Sequence, residues 1–237
     1  RIHNWFLQRL FQHSSYVVVT SEPMAQNYPG LARVKAKIKV IPSGVQEPDV
    51  AGWKRDYNHF THCLFVGRLV PYKGIDYLFQ ALSGTDIPLT IVGSGEMETY
   101  LRHRAQELGV EDRLSWKGSL KELSTAYKEA SVFVLPSVEI NETMGLVQAE
   151  AMAYGLPIIN TALLTGVPWV ARDNIEAITV KPKDVSLLRS ALLQLKTDSA
   201  LRARLGTEGE KRYKDIFTVE SMKEKYLNLY YSVLKEV

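Results

Sequence analysis

Cys63-Leu64-Phe65-Val66-Gly67-Arg68-Leu69-Val70-Pro71-Tyr72-Lys73-Gly74-Ile75-Asp76-Tyr77-Leu78-Phe79-Gln80-Ala81-Leu82 is the stretch on which the fold turns. It opens with a short apolar run of strand length, passes through a glycine- and proline-bearing loop with two cations, and continues at helical spacing. The same order recurs downstream. Strands are expected at Leu89–Val92, Leu114–Trp116, Val132–Leu135, Ile158–Asn160 and Ile178–Val180. Helical periods are expected at Glu96–Leu108, Leu120–Glu129, Met144–Tyr154, Val185–Leu195, Ala200–Tyr213 and Val219–Leu234. Strand–helix alternation of this kind implies an α/β fold with a doubly wound parallel sheet covered on both faces. In such sheets ligands bind outside the carboxyl ends of the strands, so chemistry is sought just after each strand.

Upstream, Ile2–Phe11 places Ile2, Trp5, Phe6, Leu10 and Phe11 at helical spacing, and this apolar face needs a partner. Tyr16–Thr20 and Lys37–Pro42 are expected as strands and Ser21–Tyr28 as a short helix. Arg33, Lys35, Lys37 and Lys39 alternate on the approach to the second strand. They fit an ordinary charged edge strand or a basic edge near an anionic membrane. The polar stretch Gln46–Asn58 is the best linker, which sets the expected units at 1–45 and 46–237.

Composition is that of a globular chain: 237 residues, 46% hydrophobic and 23% charged. A net charge of +3 is too mild to announce nucleic acid but suits an anionic ligand or surface. The single cysteine, Cys63, reads as an unpaired thiol buried in a strand, compatible with a reducing compartment. No apolar stretch approaches the roughly 20 residues that span a bilayer. The chain begins with Arg1 and reads as a soluble piece of something larger.

Four segments carry candidate chemistry. Gly67–Gly74 sets Arg68 and Lys73 on one strand-to-helix loop, able to grip a diphosphate, though two solvated surface cations fit equally well. Gly93-Ser94-Gly95 is a tight turn before a helix; it lacks the third glycine of the dinucleotide fingerprint, which weighs against a nicotinamide cofactor. Gly118-Ser119 is unspecific alone. Pro136–Pro157 holds Glu142 and Glu150 about two helical turns apart around a helix start. There the amides of Met144, Gly145 and Leu146 face outward and carboxylates can accept from sugar hydroxyls. A dipole contact at Glu142 and a surface ion pair at Glu150 explain that spacing equally well.

In this order, Gly67-Arg68-x4-Lys73-Gly74, Gly93-Ser94-Gly95-Glu96, Pro136-Ser137, Glu142-x7-Glu150-Ala151-Met152-Ala153-x-Gly155-x-Pro157 and Thr165-Gly166-Val167-Pro168 closely resemble the retaining glycosyltransferases of family four, glycosyltransferases group one. The resemblance covers residues 38 to 237 and implies the GT-B fold, in which two Rossmann-like domains face each other across a cleft. It makes this chain the C-terminal, donor-binding half with a remnant of the N-terminal domain. Carried over residue by residue, it makes Arg68 and Lys73 the diphosphate pair, Glu142 the carboxylate on the donor sugar and Glu150 the one on the ribose. Arg68, Lys73 and Glu142 are thus the expected catalytic groups. Met144, Gly145 and Leu146 bring backbone amides to sugar and phosphate, with Thr143 beside them. Gly118, Ser119 and Leu120 lie near the base, and Gly67, Gly93 and Gly95 lie in the donor loops.

Thr143 and Met144 stand where the commonest family version has glycine and phenylalanine. Trp169 replaces a common glutamate, and Ala177 a frequent glycine. The Pro-Ser-Val and Val-Pro-Trp-Val segments look like a subset acting in bacterial surface polysaccharide, lipopolysaccharide and O-antigen synthesis. The partners implied are a UDP- or GDP-linked sugar and a saccharide or lipid-linked acceptor, with no cofactor beyond the donor and no nucleic acid. No Asp-x-Asp or histidine cluster calls for a metal. A cytoplasmic site is expected, at the inner face of the plasma membrane if the basic edge meets lipid. A nucleotide-sugar epimerase of the same fold and a non-catalytic nucleotide-sugar sensor are the rival readings.

Overall fold

The computed structural model describes residues 2–235. Its larger part is a six-stranded sheet built from β3 (Cys63–Val66), β4 (Leu89–Val92), β5 (Leu114–Gly118), β6 (Val132–Val134), β7 (Ile158–Thr161) and β8 (Ala177–Val180). The spatial order is β5-β4-β3-β6-β7-β8, with every neighbouring pair parallel. The chain therefore winds outward from β3 through β5, crosses back to lay β6 against β3, and winds out the other way. That reversal between β3 and β6 opens a crevice at the carboxyl ends of the two strands.

Alternation across the pleat explains why the strands read as continuous apolar runs. Leu64, Val66, Phe133 and Ile158 enter a core with α5 (Ser124–Glu129), α6 (Val147–Ala153) and α7 (Val167–Val170) on one face. Cys63, Phe65, Val132, Val134 and Ile159 enter the other core, under α3 (Ile75–Leu82), α4 (Glu98–Glu107) and α8 (Val185–Thr197). Cys63 is fully buried, and burial pushes its thiol up, out of the reactive range. α9 (Ser199–Arg212) and α10 (Val219–Lys235) follow, separated by a π-helical turn at Tyr213–Phe217.

A smaller unit precedes the sheet. α1 (Ile2–His13), α2 (Glu22–Asn27) and the parallel pair β1 (Val17–Val19) and β2 (Ile38–Val40) gather Val17, Val19, Leu31 and Val34 into a core of their own. On α1, Phe11 packs against that core while Trp5, Phe6 and Leu10 stay exposed; the side chain of Ile2 lies outside those described. Val45 already belongs to the larger core, its N–H donating to the Phe217 carbonyl at 2.7 Å.

Three expectations need correction. Arg33, Lys35 and Lys37 lie on a 3₁₀ segment, Pro29–Lys37, so no alternating basic edge forms. Lys37 instead donates to the carbonyls of Gln12 and Ser14, at 2.8 and 2.9 Å, where α1 ends. The stretch read as a linker is fastened down: Arg55 donates to the carbonyls of Tyr154 (2.7 Å), Tyr127 (2.6 Å) and Ala130. Finally, α6 begins at Val147 rather than Met144, because Gly145 has φ +62° and cannot continue a right-handed helix.

Candidate donor site

The crevice at the β3/β6 reversal brings together the two loops singled out in the sequence. Lys73 closes the loop after β3 and Glu142 lies on the loop after β6. Their Nζ and Oε2 atoms are 2.5 Å apart, and both residues are buried, at 7% and 8% exposure. The buried Ser137 hydroxyl donates to the same Oε2 at 2.8 Å, and the Thr161 hydroxyl donates to the Ser137 carbonyl at 2.5 Å. In the sequence Ser137 stands only within the Pro136-Ser137 motif; in the structure its hydroxyl aims the carboxylate.

Arg68 stays exposed on the same loop, its guanidinium donating to the Tyr72 hydroxyl at 3.2 Å. The crevice thus offers one accessible cation and one held by a carboxylate. Gly67, Arg68, Gly93, Ser94, Ser119 and Leu120 line a cavity of about 210 Å³. A second cavity, of about 480 Å³, is lined by Leu146, Glu150, Tyr127, Tyr154 and residues 46–49 and 121–124, with Leu123 common to both. Residues 46–49, read as linker, are one wall of this chamber.

Gly93 and Gly95 are required by close packing between loops. A Cβ on Gly93 would stand 1.9 Å from the Gly67 carbonyl oxygen, and one on Gly95 would stand 2.4 Å from that of Leu69. The two loops lie this close because Leu69 N–H donates to the Ser94 carbonyl at 2.9 Å and Met97 N–H to the Leu69 carbonyl at 3.0 Å. Gly118, at φ +61°, turns the chain out of β5, and the adjacent Ser119 hydroxyl lies 2.8 Å from that of Ser94.

Glu150 sits on α6, and its Oε2 accepts from the Tyr127 hydroxyl on α5 at 2.8 Å. Burial, and secondarily the Glu150 carboxylate, hold the Tyr127 phenol well above its ordinary range, so it remains a donor at neutral pH. The Tyr127 ring stacks on Tyr154 at 5.1 Å. Tyrosine at helical spacing reads as core, and nothing in the local sequence separates Tyr127 from an ordinary packing residue.

Thr143 departs from the grouping. It faces a mostly apolar cavity of about 540 Å³ between the smaller unit and the loops at 140–143 and 164–166. Met144 is buried in the core, and Gly145 is wedged where a Cβ would meet Leu135 Cδ2 at 2.6 Å. Gln148 and Asn160, both fully buried, brace this loop: Gln148 Nε2 donates to the carbonyls of Gly145 (3.3 Å) and Val167 (3.2 Å), and Asn160 Nδ2 donates to Gln148 Oε1 at 2.8 Å. Only Leu146, just ahead of Val147, occupies the helix start expected for the amides of 144–146. Among the described residues, no group of three or more His, Cys, Asp or Glu side chains is placed to hold a metal ion. Among them too, no helix is long and apolar enough to cross a membrane.

Residues 56–212 match the family model described as glycosyl transferases group 1. The chain belongs to this family. Over 97% of its length, this family member is 28% identical to O-antigen chain mannosyltransferase C of Escherichia coli, covering 64% of that protein. Over 65% of its length, it is 30% identical to the D-rhamnosyltransferase WbpZ of Pseudomonas aeruginosa, covering 41% of it. The chain thus spans less than two thirds of these relatives. Among solved structures, sucrose-phosphate synthase from Thermosynechococcus elongatus superposes with a TM-score of 0.80 at 25% identity, over 100% of this chain and 62% of that one. HepE from Anabaena, in complex with UDP, gives 0.84 at 17% identity over 95% and 66%. The fold is therefore that of GT-B glycosyltransferases, and the chain covers the C-terminal-like domain.

Proposed function

We propose that this chain is the donor-binding half of a retaining glycosyltransferase that moves a sugar from a UDP- or GDP-linked donor to a saccharide or lipid-linked saccharide. The observation that carries the reading is the meeting of Lys73 and Glu142 at the β3/β6 reversal, with Arg68 exposed on the loop that carries Lys73 and Glu150 in a chamber that shares Leu123 with the Arg68 cavity. This set of groups suits a nucleoside diphosphate sugar. Its ribose hydroxyls reach Glu150, its diphosphate lies against Arg68 and Lys73, and its sugar hydroxyls face Glu142.

Breaking the anomeric bond leaves negative charge on the diphosphate and positive character on the sugar. Cations beside the leaving group lower that barrier, which supports transfer without a divalent metal; same-face transfer with retention rests on the family resemblance. A role in bacterial surface polysaccharide synthesis rests on relatives named for O-antigen and for lipopolysaccharide core biosynthesis. The remainder of the relatives' length would then supply acceptor contacts, at the cytoplasmic face of the membrane.

Calorimetric titration with UDP, GDP and ADP, each with and without a chelator, tests the site. Binding of one of them, unchanged by the chelator, is expected. Loss of binding on chelation, restored by magnesium, would refute the reading of the diphosphate site. Product analysis of a relative-length protein with the matching nucleotide sugar and a saccharide acceptor then tests transfer, with anomeric retention in the new glycoside.

A further inference from the structure

Resting on that reading, we propose that Glu142 competes with the diphosphate for Lys73, so that the site favours an intact nucleotide sugar over the free nucleoside diphosphate. The sequence alone assigns Lys73 and Glu142 to separate parts of the donor. By that division Glu142 would be indifferent to a bare nucleotide. The ion pair removes the independence, since the ammonium offered to the phosphates is already 2.5 Å from a carboxylate oxygen.

The geometry makes this more than a surface contact. Both partners are nearly buried, where a charge–charge term is screened far less than in water. Glu142 is held in place by the Ser137 hydroxyl, and both hydrogen bonds fall on Oε2, leaving Oε1 to accept from a sugar hydroxyl. The Lys73 ammonium lies beside Gly67, where an added Cβ would stand 3.5 Å from Nζ. An arriving diphosphate therefore takes Arg68 freely but must share Lys73 and accept a carboxylate as its neighbour. That repulsion opposes bare nucleoside diphosphate. With a sugar attached, hydroxyl donors to Glu142 offset it. The same pair thus penalises the product and rewards the donor, which helps the spent diphosphate to leave.

The test is opposite-sign calorimetry on E142Q, which keeps the size, the acceptor oxygen and the Ser137 contact but removes the charge. With whichever of UDP or GDP the unaltered chain binds, E142Q is expected to tighten nucleoside diphosphate binding about five- to twentyfold and to weaken the matching nucleotide sugar. A general structural defect would weaken both. A K73M/E142Q double substitution leaves no buried charge unpaired and guards against a variant that fails to fold. Because the gain in E142Q comes through the freed Lys73 ammonium, the double variant should lose that gain and bind the diphosphate more weakly than E142Q. Unchanged or weaker diphosphate binding by E142Q, or a double variant that binds the diphosphate as tightly as E142Q, would overturn the proposal. Failure of the unaltered chain to bind any nucleotide would instead sink the donor-site reading itself.

Discussion

Substituting Tyr127 by phenylalanine removes one oxygen atom and isolates its contact with Glu150. The ring is 2% exposed and stacked on Tyr154, so its packing survives the change. What is lost is a 2.8 Å hydrogen bond to Glu150 Oε2. Hydrogen bonds to a charged acceptor contribute about 1.5–3 kcal/mol when buried, but Glu150 lines a cavity open to water that can replace the donor. A loss of about 1 kcal/mol is therefore expected, or roughly fivefold in nucleotide affinity, because the carboxylate is no longer aimed. E150Q removes the charge itself and should cost roughly 1.5–3 kcal/mol, or about ten- to a hundredfold. Since the ribose is common to both ligands, each variant should weaken nucleoside diphosphate and nucleotide sugar alike. Calorimetric titration of Y127F, E150Q and the double variant measures this, and the double variant should bind almost as E150Q does, because the two side chains act through one contact. Strict additivity, or no effect of E150Q on the bare nucleotide, would refute the assignment of Glu150 to the ribose.

Two further outcomes follow from packing and protonation. G93A should destabilise the fold by about 2–4 kcal/mol in denaturant unfolding, since φ is +137° there and a Cβ would meet the Gly67 carbonyl oxygen at 1.9 Å; a loss under about 1 kcal/mol would mean that the loops can part freely. Burial holds the Tyr127 phenol above its ordinary range and pushes Tyr213 up to about 12. Both raised values favour the protonated folded state, so their contribution is intact below about pH 10 and is lost as pH rises through the folded values. Unfolding free energy should fall between about pH 10 and 12, and the fall should be shallower in Y127F/Y213F; equal slopes would contradict it.

Strand and helix succession was legible because the four central strands of the large sheet, β4, β3, β6 and β7, are buried along their whole length and so read as short apolar runs. Legibility failed where one residue overrode a pattern. Met144 fits a helical period, yet Gly145 at φ +62° delays α6 to Val147. The alternating cations at 33–39 resemble an edge strand, yet the chain forms a 3₁₀ segment from Pro29 and sends Lys37 to the end of α1. In the 46–58 stretch, polar composition hid Arg55, which bonds the carbonyls where α5 and α6 end.

The site shows a different boundary of sequence reading. Spacing within one loop can bring Arg68 and Lys73 together, and a short loop leading into α6 can relate Glu142 to Glu150, because both are matters of local geometry. The contact between Lys73 and Glu142 joins residues separated by 69 positions, and it exists because β6 lies beside β3. Had the crossover after β5 placed β6 at the far edge beyond it, the same motifs would stand in the same order with Glu142 on one side of the sheet and Lys73 near its middle. Motif order is blind to that difference. The ammonium would then be free to meet a diphosphate unopposed, and E142Q would leave nucleoside diphosphate affinity unchanged. Tighter binding by that variant therefore tests at once the competition for Lys73 and the strand order that brings the two side chains together.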